Sequence, residues 1–147
     1  MQSNILNPYD TTNAQNISEL ITPYTEQNQM LAKSVADILQ SAETWRYYKN
    51  ESGMVCAFFQ MRVQEVGEFV EMGSVYSNQE IGSPGLRILI EDFKVWQKTL
   101  NALNGFSVTK DMVTAEKFAS FSDGSKESFP EWFTRSKNDR YFIRWSA

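Results

Sequence analysis

The sequence predicts a single α/β domain, a mixed and mostly antiparallel central sheet with helices on both faces. Three observations carry that class. Strand-like runs at 44–49, 54–63 and 68–76 follow one another across short polar turns, which favours antiparallel pairing. Leu86, Leu89, Ile90, Phe93, Trp96, Leu100 and Leu103 then recur every three or four residues with charges between them, the period of an amphipathic helix. A short strand, a short helix and a final alternating strand close the chain, so the strand–helix–strand unit permits one parallel crossover.

In chain order, residues 1–26 read as an N-terminal arm, with a short strand at 4–6 and a short helix at 18–21 that stops before Pro23. The domain proper runs over 27–147. A helix is expected over 27–42, where Leu31, Val35, Ile38, Leu39 and Ala42 fall on one face. The aromatic run 44–49 and the run 54–63 form a hairpin about the turn 50–53. Val55 to Phe59 is nearly all apolar, as in a strand covered on both faces. After the strand at 68–76 comes a polar turn, then the long helix. Ser83 suits its cap, and Pro84 its first position, where no N–H partner is needed. Asn104-Gly105 reads as the stop of that helix. A strand at 106–109, a helix at 114–121, a polar loop at 125–138 and a strand at 140–145 complete the order.

Composition excludes several function classes. The 147 residues carry a formal net charge of −4, so no basic surplus exists to displace phosphate counterions; binding to nucleic acid or an anionic membrane is not expected. No apolar run has membrane-spanning length and no signal-peptide pattern opens the chain, which points to the cytoplasm. The one cysteine, Cys56, sits in the apolar run and reads as a buried structural thiol in a reducing compartment. Histidine is absent, which removes Ser-His-Asp and Cys-His catalysis and His-ligated zinc, and no metal site is expected. Acid–base chemistry is left to Asp, Glu, Tyr, Lys, Cys or water.

The element order, with the residues between Val75 and Leu89, resembles the GNAT N-acetyltransferase superfamily. Its central motif is approximately V-x-P-x-x-(R/Q)-x-x-G-x-(G/A), followed one turn later by two apolar residues. Val75 matches the opening valine, Gly85 the final glycine and Ile88-Leu89 the apolar pair. The stretch 114–124, with its terminal glycine, resembles the family's fourth helix. The chain departs from the pattern at Ser77, Glu80 and Ser83, which stand where the family has Pro, Arg or Gln, and Gly. A shifted reading through Gln79 and Gly82 restores two of these but places Pro84 at the last glycine.

The resemblance implies acetyl-CoA as cofactor and acyl transfer to a small amine or a protein amine. It implies that the Val75 backbone pairs with the pantetheine arm, and that the N–H groups of Ile81, Gly82, Ser83 and Gly85 hold the diphosphate at a helix N-terminus. Pro84 supplies no N–H, and Arg87 is the nearby cation of the helix. Glu71, which strand alternation aligns with Gly73 and Val75, is the expected base, directly or through a water; solvated strand surface is the plainer reading of the same residue. Phe118 and Phe121 occupy the region where the family places its acid, a Tyr, and Tyr141 or Tyr76 is left as a substitute for it. These departures keep a second reading open: a GNAT-fold binding or structural protein without catalysis, such as a bacteriophage virion or host-interaction component. In that reading Trp132 and Trp145 mark an aromatic surface for a protein partner.

Overall fold

The computed structural model of the protein describes residues 3–27, 30–64, 68–78 and 85–146. Strands β1 (Asn4–Ile5), β2 (Trp45–Lys49), β3 (Val55–Val63), β4 (Phe69–Ser77), β5 (Asn104–Thr109), β6 (Ser125–Glu127) and β7 (Tyr141–Ser146) form a seven-stranded sheet in the order β1-β2-β3-β4-β5-β7-β6. β1 with β2, β2 with β3, β5 with β7 and β6 with β7 pair antiparallel, while β4 and β5 pair parallel. This is the mixed, mostly antiparallel sheet that the run of strands predicts. The parallel step follows the strand–helix–strand crossover. The chain divides into two compact units, residues 1–61 with 74–85 and residues 62–73 with 86–147.

The first unit contains helices α1 (Thr11–Glu26) and α2 (Val35–Gln40). The expected helix at 18–21 is instead 16 residues long and carries Pro23 inside it. Asp10 starts it by accepting the Asn13 N–H at 3.1 Å. Ala14, Ile17 and Ile21 then fall on one face and are buried, which holds the helix through a proline that removes one backbone donor near its end. The expected helix over 27–42 shrinks to six residues. Ser34 and Asp37 form a reciprocal capping box that fixes its start, and Leu31, assigned to the apolar face, is 64% exposed. Leu6, Ile17, Ile38, Trp45 and Phe58 meet in one apolar core. Tyr76, from the second half of β4, stacks on Phe58 with centroids 5.2 Å apart. Cys56 is buried, its thiol 3.5 Å from the Tyr48 carbonyl.

The second unit holds α3 (Gly85–Thr99) from Leu86 onward, and α4 (Met112–Ser120). α3 ends before the predicted stop. Ala102 N–H returns to the Gln97 carbonyl and Asn101 N–H to that of Lys98, with Asn101 at φ 55, the left-handed residue of a Schellman motif. Leu100 and Leu103 are therefore exposed, and Asn104-Gly105 opens β5 instead of ending the helix. Gly105 lets helix and strand approach closely, since a Cβ there would lie 2.5 Å from Gln97 Oε1 and 2.6 Å from Phe93 Cε2. The stretch taken as loop contains β6, paired through Lys126↔Ile143.

The two faces of this part of the sheet differ. On one, Trp145 is fully buried and its indole N–H reaches the carbonyls of Phe118 and Phe121. On the other, Phe106, Phe133 and Phe142 form a buried cluster rimmed by Phe69, Phe129 and Trp132. Trp145 is thus core and marks no surface, while Phe129 and Trp132 are half-buried at the rim of the cluster.

Candidate active site

β4 carries the residues that matter. Its first half pairs with β5 through Phe69↔Asn104, Val70↔Gly105 and Glu71↔Phe106. Ser107 Oγ donates to the Met72 carbonyl at 2.7 Å, a side-chain bond next to the last of these pairs. Ser74 then adopts φ 49, a left-handed conformation unusual for a residue with a Cβ and typical of a bulge that re-aims a strand. Val75 follows it, half-buried, in the first unit.

Glu71 is not solvated strand surface. Its side chain is 4% exposed and lies among three donors. Arg135 Nη2 donates to Oε2 at 2.8 Å, Gln64 Nε2 reaches Oε1 at 3.5 Å, and Arg62 Nη1 stands 3.7 Å from Oε1. Glu71 and Arg135 are 64 residues apart in sequence, so only the fold brings them together. Arg62 lies across Gly73, where an added Cβ would sit 2.5 Å from its Nη1. Burial pulls the Arg62 guanidinium below its ordinary value; the Glu71 carboxylate opposes that and Arg135 adds to it. The Arg135 side chain is 44% exposed, and its guanidinium lies 4.8 Å from the Phe133 ring centroid. The cluster is a buried carboxylate, a covered guanidinium and a guanidinium open to solvent.

Sequence reasoning selected Glu71 and missed Arg62, Gln64 and Arg135. One signal was present: a glycine inside a strand often marks close approach of another group, and Gly73 makes room for Arg62. Nothing local marks Arg135, which stands in a polar stretch.

Tyr141 opens β7 opposite Thr109 and is half-buried, with Lys126 Nζ 5.5 Å from its ring centroid. Alternation places it with Ile143 and Trp145, whereas Glu71 shares the face of Phe69 and Phe106. The two are not brought together. Glu68 is exposed and its carbonyl accepts the Asn104 N–H at 2.8 Å. Ile81, Gly82 and Ser83, with Gln79, Glu80 and Pro84, lie outside the described residues. Gly85, the last of the expected cradle, is buried as the first residue of α3. The first turn of α3 holds no acidic residue, so no helix carboxylate opposes an anion at that terminus. Arg87 is engaged by Glu91 at 3.0 Å on the exposed face. Among the described residues no group of three His, Cys, Asp or Glu is placed to hold a metal ion, and no helix is long and apolar enough to cross a membrane.

No protein-family model matches the sequence, and no curated protein matches it. Solved structures do. An N-acetylglutamate synthase from Neisseria gonorrhoeae, complexed with coenzyme A and N-acetyl-glutamate, superposes over 99% of this chain with a TM-score of 0.81 at 15% identity. The chain spans only 34% of that enzyme's length. A GNAT-family acetyltransferase from Staphylococcus aureus gives a TM-score of 0.71 at 14% identity, covering 99% of both chains. The diaminobutyrate acetyltransferase of Paenibacillus lautus, in complex with L-2,4-diaminobutyric acid and coenzyme A, gives 0.68 at 11%, over 99% of this chain and 93% of its own. The chain has the GNAT N-acetyltransferase fold.

Proposed function

We propose that the chain is an acyl-CoA-dependent N-acyltransferase acting on a small amine. One observation carries the reading. A buried carboxylate, Glu71, stands on β4 four residues before Val75, on the strand that leads to the helix terminus expected to hold the cofactor. The coenzyme A bound in two of the similar structures supports the cofactor, and the small amine of the Paenibacillus enzyme supports the acceptor class.

In this reading the Val75 backbone holds the pantetheine arm, and Ile81, Gly82, Ser83 and Gly85 offer their N–H groups to the diphosphate. The cofactor supplies an acyl group activated as a thioester. Glu71 takes a proton from the incoming ammonium, leaving a nitrogen lone pair free for attack. A new N–C bond forms as C–S breaks, and the sulfur leaves with a proton. Tyr141 is assigned that proton. The proton comes off the amine nitrogen and another goes onto the departing sulfur, so base and acid act at different atoms and need not touch each other.

The test is thermal unfolding with and without acetyl-CoA. Ligand at ~100 times its dissociation constant adds about 2.7 kcal/mol, a midpoint rise of several degrees. Gly82→Glu and Gly85→Glu should each abolish the rise. An unchanged midpoint in the unmodified protein would sink the reading and leave a GNAT-shaped protein that works by binding alone.

A further inference from the structure

We infer that Arg135 is a latch: it closes residues 134–139 over Glu71 and gives way to an acceptor that arrives as an ammonium ion. The inference rests on the acyltransferase reading for the reaction, though not for the latch itself. All of these residues belong to the second unit.

Access comes first. The Glu71 side chain is 4% exposed, so an amine cannot reach it while every contact is in place. Among the described residues Oε2 has one polar contact, the Arg135 guanidinium at 2.8 Å, while Gln64 and Arg62 stand 3.5 and 3.7 Å from Oε1. Oε2 is therefore the oxygen that a single departure frees for a new donor. Arg135 is the group placed to depart, because its side chain is 44% exposed.

The segment that carries Arg135 is anchored unevenly. Its first part is pinned by rings: Trp132 lies 4.9 Å from Phe69 and 5.4 Å from Phe106, and Phe133 is buried beside Phe142. Residues 134–139 are all exposed. The Arg140 N–H donates to the Lys137 carbonyl at 3.2 Å, and Arg140 Nη1 reaches Ser136 Oγ and the Asn138 carbonyl at 3.1 Å. Those contacts hold the stretch only to its own neighbour. Among the described residues, the Arg135–Glu71 pair is the one polar contact tying 134–139 to another element.

Exchange follows from the chemistry of the donor. An ammonium makes charge-assisted N–H bonds of the kind that the guanidinium gives to Oε2, and so replaces the lost contact in kind. It then lies at the atom that takes its proton: one N–H bond breaks, one O–H bond forms, and the nitrogen keeps the electron pair. A hydroxyl or an amide brings a neutral donor, about half as strong, and leaves the latch closed. Acceptors are thereby restricted to basic amines.

The experiment is heteronuclear NMR of the labelled full chain. The Arg135 Nε–H signal, identified by its loss in Arg135→Gln, should shift on titration with ethylammonium chloride. Ethanol should leave it in place, and sodium chloride at equal ionic strength should move it less. In Arg135→Gln the backbone order parameters of residues 136–139 should fall from about 0.85 to below about 0.6, with those of 131–133 unchanged. Arg135→Lys, which keeps a cation but not the planar fork, should lie between. With acetyl-CoA present, Arg135→Gln should raise kcat/KM for ethylamine about two- to fivefold, the worth of an ion pair with one exposed partner. The inference is overturned if ethanol or sodium chloride acts as strongly as ethylammonium, or if residues 136–139 keep their order in Arg135→Gln. A fall in kcat/KM in that variant would overturn it too, by making Arg135 a group that orients the base. Acetyl-CoA unfolding shifts on the same samples separate the two ideas. Latch signals without a cofactor shift remove the acyltransferase and spare the latch; a cofactor shift without latch signals does the reverse.

Discussion

Each unit of the molecule buries a charge, and the two are anchored differently. In the first unit Arg46 is 3% exposed, and its Nη1 donates to the carbonyls of Glu43 at 2.6 Å and Trp45 at 3.0 Å. Those acceptors are backbone, fixed by the 3₁₀ turn Ala42–Thr44 and by β2. In the second unit Glu71 is equally buried, but its shortest contact is the guanidinium of a half-exposed arginine on a connecting segment. An acceptor fixed in the backbone cannot leave its donor without unfolding. A contact made by an exposed side chain can be exchanged at little cost in stability. Burial alone does not distinguish scaffold from site; the mobility of the partner does.

That contrast can be broken or sharpened by mutation. The largest loss of stability is expected from the apolar core of the first unit, where Ile17→Ala should cost about 3 kcal/mol in urea unfolding. The folded fraction should transfer acyl groups normally. Glu71→Gln comes next, at about 2 kcal/mol, because it removes the buried charge that Arg135 and Arg62 contact. It should also cut turnover about a hundredfold or more, as loss of a general base does. The decisive pair is Arg46→Met against Arg135→Gln. The first should cost about 2 kcal/mol by taking the donor from the Glu43 carbonyl, while the Trp45 carbonyl keeps the Leu6 N–H, and leave ligand binding alone. The second should cost well under about 1 kcal/mol and change binding. The opposite result would show that both charges are scaffold.

Smaller effects test the local signals. Asp111 caps α4 by accepting the Thr114 N–H at 3.0 Å, and Asp111→Ala should cost about 1 kcal/mol. Hydrogen bonds from Thr114 hold the Asp111 carboxyl below the usual carboxylate range. Its contribution is therefore present above the unfolded value and lost as pH falls through the lower folded one. Acid titration of stability in the wild type and in Asp111→Ala should converge in that window. Tyr141→Phe should leave stability unchanged and lower kcat severalfold, with no effect on the amine KM. An unchanged kcat would free Tyr141 of the acid's role.

Most of the elements were legible because their causes are local. The spacing from Leu86 to Trp96, the alternation along β7 and the turn at Gly53 act within a few residues. The errors arose where two local signals competed. Pro23 argued for a stop, yet the buried stripe Ala14–Ile17–Ile21 carried α1 through it. An apolar period argued for a helix over 27–42, yet the Ser34–Asp37 box started α2 late. Leu100 and Leu103 continued the period of α3, yet Asn101 turned the chain first.

Glu71 was within reach of the sequence because strand alternation and the motif around Val75 are both short-range. Its environment was not. Arg62, Gln64 and Arg135 converge on one carboxylate from β3, the residue after it, and the segment before β7, and no periodicity links them. Sequence set which residues share a strand or a helical face, because backbone geometry repeats over two or four residues. Tertiary structure decided which charges meet, because that depends on strand order and on the course of a segment 64 residues away.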